Sequence, residues 1–185
     1  MANVEQCVAA LARGEVIAYP TEGVFGVGCD PDSAQAVEAL LLVKERDKAK
    51  GLILIAANLA QLEGYIDLDG LSDNVKDDVL ATWPGPVTWV MPAGKKITGW
   101  VTGQFDTVAV RVSDHPDVQA LCMAYGKPIT STSANLSGKE PCRTADEVIA
   151  QLGERVPCVL NGKIGGRDKP TEIRDARSGK VLRQG

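Results

Sequence analysis

The sequence is poor in residues on which several common classes of protein depend. Only 4% of its 185 residues are aromatic, and only one, His115, is a histidine. Surfaces that bind single-stranded nucleic acid stack bases on exposed rings, so this chain has little from which to build one. A lone histidine also argues against Ser–His–Asp hydrolysis.

The cysteines form no recognisable framework. The five are widely spaced, contain no Cys-x-x-Cys pair, and are Cys7, Cys29, Cys122, Cys142 and Cys158. This pattern predicts buried free thiols rather than a zinc site or a set of disulfides. No apolar run has the length of a membrane span, and the polar N-terminus is unlike a signal peptide. We therefore expect a cytoplasmic protein without membrane contact or protein-bound metal.

Length and charge narrow the class further. With 44% hydrophobic and 24% charged residues, the chain has the composition of one ordinary domain, expected over residues 1–185. The net charge of −4 argues against polyanion binding over the whole surface, but leaves room for a local basic patch.

Helices and strands are predicted in irregular alternation. Helical spacing of apolar residues and N-cap residues indicate helices at Val4–Arg13, after Ser33, at Ala60–Tyr65, Asp73–Thr82, from Pro116, and from Thr144 to Leu152. Short apolar or alternating runs indicate strands at Glu15–Pro20, Gly51–Ala57, Val87–Met91, Thr107–Ser113, Lys127–Asn135 (running into a polar turn), Cys158–Leu160, Glu172–Arg174 and Lys180–Leu182. A glycine-rich loop is expected between Thr21 and Asp32. The order predicts an α+β fold with three layers around a mixed sheet.

The most informative local pattern is a run of alternate cations, with Lys44, Arg46, Lys48 and Lys50 in the segment KERDKAK. In an extended segment this spacing places all four on one face, where they would cradle a polyanion such as triphosphate. A solvated charge run at a helix end accounts for the same residues. The spacing leaves both interpretations open.

Two further segments are rich in small or hydroxyl residues. The hydroxyls and amide of Ser131–Asn135 follow an apolar strand and could approach a bound anion, although a self-capping turn has the same composition. The segment Tyr19–Gly28 carries three glycines without the GxGxxG fingerprint, and no GxxxxGK[ST] phosphate loop occurs.

Taken together, these segments resemble the YrdC-like family. The matching motifs are YPTE (19–22), FGVGCDP (25–31), K-x-R (44–46), WPGPVT (83–88), AVRV (109–112), STSANLSG (131–138) and VLRQG (181–185). The resemblance implies a twisted mixed sheet flanked by helices, with a large concave pocket lined by positive charge. It also implies an enzyme that joins L-threonine, bicarbonate and ATP into threonylcarbamoyl-AMP and pyrophosphate. A separate threonylcarbamoyl-transferase complex would then modify tRNAs that read codons beginning with A.

The resemblance also implies roles for particular residues. The catalytic residues would be Lys44, Arg46, Ser133 and Asn135. ATP would be bound by Arg46, Lys50, Thr107, Arg111, Ser133 and Arg183, and threonine by Thr21, Ser131 and Thr171. Mg²⁺ is expected to accompany ATP without an assignable protein ligand. Two positions depart from longer relatives, which carry threonine at Gly23 and histidine at Ile55.

Two alternatives remain at this point. A noncatalytic factor that binds duplex RNA or tRNA, or that aids ribosome maturation, would use the same basic concave surface. An enzyme making another carbamoyl or acyl adenylate, with a different amino acid, would accommodate the departures at Gly23 and Ile55.

Overall fold

A single mixed sheet of nine strands forms the framework of the protein. The computed structural model describes residues 1–185. In chain order the strands are β1 (Ile17–Pro20), β2 (Phe25–Gly28), β3 (Ile53–Ala56), β4 (Val87–Pro92), β5 (Thr107–Val112), β6 (Ile129–Ser133), β7 (Cys158–Val159), β8 (Glu172–Asp175) and β9 (Val181–Arg183). In space the order is β7-β1-β2-β6-β3-β5-β4-β8-β9, which places β3 at the centre as predicted. Three neighbouring pairs are parallel (β1–β7, β3–β5, β4–β8) and the other five are antiparallel, so the predicted mixed sheet is confirmed.

Six α-helices connect the strands. They are α1 (Val4–Ala12), α2 (Ala34–Lys44), α3 (Asp73–Thr82), α4 (Gly99–Thr102), α5 (Pro116–Tyr125) and α6 (Ala145–Leu152). The short α4 was not predicted, and the helix expected at Ala60–Tyr65 is a 3₁₀ turn at Leu59–Leu62. None of the helices combines the length and the apolarity that crossing a bilayer requires.

The helix starts are set by local hydrogen bonds. Ser33 and Thr144 accept from the third backbone N–H of their helices, which confirms both predicted caps. His115 caps α5, whose first residue is Pro116: its Nδ1 accepts from the Asp117 N–H at 3.1 Å. Because Nδ1 accepts, Nε2 carries the proton and donates to the Lys163 carbonyl at 2.8 Å. The one histidine is therefore a structural residue.

The helices cover both faces of the sheet. Adjacent residues of one strand point to opposite faces, so Ile17 and Ala18 enter two different apolar clusters. The cluster around Ile17 includes buried residues of α1 and α5, and the one around Ala18 includes residues of α2, α3, α4 and α6. The predicted three-layer arrangement is confirmed.

One strand lies where a loop was predicted. Phe25–Gly28 is fully buried and pairs with β1 and β6, although its alternate glycines suggested a flexible connection. A Cβ at Gly28 would lie 1.8 Å from the Thr130 carbonyl oxygen, and one at Gly26 would lie 3.3 Å from the Tyr19 ring. These glycines thus permit close approach of neighbouring chain segments within the sheet. A sequence pattern does not distinguish glycines with this role from glycines in a loop.

Gly28→Ala is expected to lower the free energy of unfolding by about 3 kcal/mol or more, because the new methyl group collides with rigid backbone. Gly99→Ala is the matched control, since a Cβ there meets nothing within 4 Å. It should change stability by less than about 1 kcal/mol. Urea unfolding followed by circular dichroism measures both, and equal stability of the two variants would contradict the packing argument.

Candidate functional site

A cavity of about 550 Å³ lies beside β2, β3 and β6, and is closed by residues 167–173 and the C-terminal strand. Six cationic side chains line it: Arg46, Arg111, Arg143, Arg167, Lys169 and Arg183. Two carboxylates, Glu140 and Asp168, also line it, which leaves a formal balance of +4 in a chain of net charge −4. A concave region of one sign concentrates counter-ions, so the cavity favours an anionic ligand.

Most of the predicted site residues meet in this cavity. Seven of them line it: Thr21, Arg46, Arg111, Ser131, Ser133, Thr171 and Arg183. They come from six separate parts of the chain, so only the fold brings them together. Lys44, Lys50, Thr107 and Asn135 are not part of the lining.

Lys44 lies beneath the cavity wall rather than on it. Its Nζ donates to the Ser133 carbonyl at 2.7 Å, to the Asn135 carbonyl at 2.8 Å and to Asn135 Oδ1 at 2.6 Å. Three acceptors satisfy all three donors of an ammonium group. Burial, helped by the charge of Arg46, lowers the pKa of Lys44 to about 8. The structure thus makes Lys44 a clamp on the segment that carries Ser133.

Asn135 belongs to the same clamp. Its Oδ1 also accepts from Ser133 Oγ at 2.6 Å, and its Nδ2 donates to the Leu136 and Lys139 carbonyls at 3.2 and 2.9 Å. Every polar atom of the side chain is engaged inside the protein. Both side chains therefore position Ser133 in this structure, and the catalytic roles predicted for Lys44 and Asn135 stay predictions.

The structure decides between the two interpretations left open for Lys44–Lys50, and the segment is not an extended cradle. Lys44 ends α2, Glu45 adopts a left-handed conformation with φ of 50°, and Lys48–Lys50 form a 3₁₀ turn. Asp47 Oδ1 accepts from the Ala49 N–H at 2.9 Å, which caps that turn and makes the segment compact. The compact conformation of this segment thus depends on the Asp47 cap, which the alternation of charges in the sequence does not reveal.

Of the four cations in that segment, only Arg46 reaches the cavity. Its Nε and Nη2 donate to the Gly51 carbonyl at 3.2 and 3.0 Å, which fixes the guanidinium while leaving other N–H groups free. Lys50 is exposed outside the cavity. Thr107 is also outside, since it begins β5 and pairs with Pro92 on β4.

Arg111 is buried at the base of the cavity with a counter-charge. Its side chain is 6% exposed, and its Nη2 lies 3.3 Å from Oε2 of Glu22, which is 5% exposed. Ser113 Oγ donates to Glu22 Oε1. The Nε of Arg111 has no hydrogen-bond partner. Breaking such a buried pair leaves an uncompensated charge, so Glu22 is required for Arg111 to remain in place.

Thr171 joins the base of the cavity to the C-terminal strand. Its Oγ1 accepts from Arg111 Nη1 and from Arg183 Nη2, both at 3.1 Å, and its carbonyl accepts from Arg183 Nε and Nη2 at 3.0 and 2.8 Å. Burial, and secondarily the charge of Arg111, lowers the pKa of Arg183. The two predicted ligands Thr171 and Arg183 are thus direct neighbours.

The segment 165–170 packs on the loop after β1. The N–H of Gly165 donates to the Thr21 carbonyl at 2.9 Å, and that of Arg167 donates to the Glu22 carbonyl at 3.2 Å. A Cβ at Gly23 would lie 3.2 Å from the Lys169 carbonyl oxygen, so the glycine permits this contact. Ile55, the other departure from longer relatives, is fully buried in an apolar cluster and does not line the cavity.

Three cavity cations were not predicted: Arg143, Arg167 and Lys169. Arg143 Nη2 donates to the Arg167 carbonyl at 3.2 Å and lies 3.5 Å from Asp168 Oδ1. These contacts join Arg143 to residues 167–169, and together they form one rim of the cavity. The run GGRDKP, directly before Thr171, was the available signal because its glycines and charges resemble a ligand-facing loop. No group of three or more His, Cys, Asp or Glu side chains is arranged to hold a metal ion.

Lys44→Met is expected to lower the free energy of unfolding by about 2–4 kcal/mol, because it leaves three buried acceptors without their donor. Lys48→Met is the matched control, since Lys48 is exposed and should lose less than about 0.5 kcal/mol. Urea unfolding at neutral pH checks both. A Lys44→Met protein as stable as the control would rule out the clamp.

Comparison with known proteins shows the family and the fold of this chain. The family model for Sua5, YciO and YrdC proteins, described as "Telomere recombination", matches residues 9–185. A threonylcarbamoyl-AMP synthase of Photobacterium profundum is 64% identical over 185 residues, covering 100% of both chains.

Solved structures show the same fold. P. abyssi Sua5 complexed with L-threonine has a TM-score of 0.86 and 28% identity, over 93% of this chain and 50% of that one. E. coli YciO has a TM-score of 0.86 and 25% identity, over 98% of this chain and 88% of its own. This chain thus spans about half the length of the Sua5 protein. From the family match and the full-length relatives, the chain belongs to the Sua5/YciO/YrdC family.

Proposed function

We propose that this chain is a threonylcarbamoyl-AMP synthase, which makes threonylcarbamoyl-AMP and pyrophosphate from L-threonine, bicarbonate and ATP. The observation that carries the proposal is the convergence of arginines and hydroxyls in one cavity, in a chain 64% identical over its whole length to an enzyme of that name. A related structure at 28% identity holds L-threonine.

The chemistry requires no nucleophile from the protein. The amine of threonine and bicarbonate condense to a carbamate with loss of water, and a carbamate oxygen then attacks the α-phosphorus of ATP. Pyrophosphate leaves, and negative charge accumulates on the phosphoryl oxygens. Rate enhancement then comes from alignment of the reactants and from fixed cations, which the cavity provides.

The positions of the side chains suggest how the two substrates divide the cavity. Arg46 and Arg183 present guanidinium groups that suit phosphate oxygens. Thr21, Ser131 and Thr171 offer hydroxyls for threonine. Mg²⁺ would arrive with the phosphates of ATP, as part of that substrate.

Two of the residues assigned to ATP binding do not line this cavity. The assignments of Lys50 and Thr107 rest on the family resemblance alone, because neither lines the cavity. Ser133 does line it, and the clamp formed by Lys44 and Asn135 fixes its position.

The product is a mixed anhydride that water hydrolyses, so the next step has to follow closely. We propose that a threonylcarbamoyl-transferase complex in the cytoplasm receives it and modifies tRNAs reading codons that begin with A. Direct contact between this chain and tRNA is not needed for the synthase reaction itself.

The decisive experiment measures pyrophosphate release from Mg²⁺-ATP with threonine and bicarbonate present and with each omitted in turn. Release that requires both supports the synthase. Faster release with serine or allo-threonine would assign a different amino acid. No release in any mixture would favour the RNA-binding alternative, in which affinity for tRNA falls by about 0.7–0.9 log units per phosphate contact for each log unit of salt.

Arg46→Ala is expected to lower kcat/KM for ATP by about 10²–10³-fold, because it removes a fixed cation from the developing phosphoryl charge. Lys48→Ala, two residues away and exposed, should change it less than about threefold. Steady-state pyrophosphate release gives the ratio, and urea unfolding confirms that both variants are folded. Equal activity of the two variants would remove Arg46 from the site.

A further inference from the structure

Two of the five free cysteines are in contact, away from the cavity. The sulfur of Cys7, in α1, lies 3.5 Å from the sulfur of Cys158, the first residue of β7. The two residues are 151 positions apart in the chain, and neither lines the cavity. The wide spacing of the cysteines gave no indication of this pair.

We propose that Cys7 and Cys158 form a modification site, a dithiol that a low-molecular-weight disulfide such as oxidised glutathione converts into an intramolecular disulfide. The closure is short: a covalent S–S bond is about 2.0 Å long, so the sulfurs need to approach by about 1.5 Å. Rotation of the Cys7 and Cys158 side chains supplies much of this approach of the two sulfurs.

Backbone hydrogen bonds hold both cysteines in place. The Cys7 N–H donates to the Asn3 carbonyl at 3.1 Å, within the capped first turn of α1. The Ala2 N–H donates to the Val159 carbonyl at 2.8 Å, and Cys158 pairs with Ile17 in the β1–β7 ladder. The contact between the sulfurs is therefore fixed by the fold on both sides.

The two thiols differ in access, which sets the order of reaction. Cys7 is fully buried, whereas Cys158 is partly exposed and so meets the oxidant first. The hydrogen-bonding contact with Cys7 lowers the pKa of Cys158 to about 7; burial and the charge of Glu15 oppose this shift, and the charges of Arg13 and the amino terminus add to it. The same contact, together with burial, raises the pKa of Cys7. Cys158 is thus the attacking thiolate.

The small disulfide accepts the two electrons that the two cysteines lose. The Cys158 thiolate attacks one sulfur of the small disulfide, forms a mixed disulfide and releases one thiolate. Cys7 then loses its proton and attacks the Cys158 sulfur, which forms the Cys7–Cys158 bond and releases the second thiolate. The protein dithiol gives up two electrons and two protons, and the small disulfide becomes two thiols.

The bond would tie the N-terminal helix to the edge strand of the sheet. Closing a loop of this length lowers the conformational entropy of the unfolded chain and thereby stabilises the folded state. The oxidised protein should melt about 10 °C higher than the reduced one.

The test incubates the full chain, under native conditions, with oxidised and reduced glutathione at several ratios. Remaining thiols are alkylated after unfolding, and non-reducing peptide mapping identifies the bonds. The wild type is expected to fall from five alkylated thiols to three, with a Cys7–Cys158 peptide and the higher melting temperature.

Single variants separate the steps. Cys7→Ser should retain a glutathione adduct on Cys158, Cys158→Ser should form neither adduct nor disulfide, and Cys142→Ser should still form the disulfide. Five free thiols in the native wild type at the most oxidising ratio would overturn the proposal. A persistent adduct on Cys158, or a bond between other cysteines, would overturn it as well.

Discussion

The buried pair of Glu22 and Arg111 is the constraint around which the cavity is built. A guanidinium next to the central strand loses most of its hydration, and it remains charged there only with a counter-charge and hydrogen-bond acceptors. The acceptors come from β4 through Thr88, from the loop after β1 through Glu22, and from Thr171 ahead of β8. Satisfying one arginine therefore fixes the relative positions of several chain segments, and two of them, the loop after β1 and the segment before β8, line the cavity.

Four cations in or beside the cavity fall into two groups with different roles. Lys44, just beneath the wall, and Arg111 donate to the protein itself, and their surroundings are largely closed. Arg46 and Arg183 are tied to backbone carbonyls by part of their N–H groups, which leaves donors for a ligand. Burial first, and the charge of a neighbouring arginine second, lower the pKa values of Lys44 and Arg183. An anion bound in the cavity would favour the charged forms of both side chains, so these cations favour an anionic ligand.

The sequence was a good guide wherever structure is decided locally. Caps at Ser33 and Thr144, and the central strand around Leu54, follow from neighbouring residues and were predicted. The same reasoning gave a wrong result at β2, where Gly28 is explained by a long-range contact with the Thr130 carbonyl, a hundred residues away. The extended conformation considered for Lys44–Lys50 is wrong for a local reason, because the Asp47 side chain caps a 3₁₀ turn in this segment.

The site itself was predictable only through the family resemblance. That resemblance identified Arg46, Arg111 and Thr171, which do meet in the cavity, but it could not separate ligand-facing groups from groups such as Lys44 that support them. Spacing in the sequence gives no distance between segments, so the rim formed by Arg143, Arg167 and Lys169 was missed.

Gly23 lets the main chain of residues 167–169 approach one side of the cavity. Because position 23 has no side chain, the backbone of residues 167–169 lies directly over it, and a Cβ would require the Lys169 carbonyl to move by a few tenths of an ångström. Here the wall is made instead by backbone contacts of Thr21 and Glu22 with Gly165 and Arg167. The side chain absent at Gly23 is thus offset by closer approach of the main chain, and the cavity stays closed on that side.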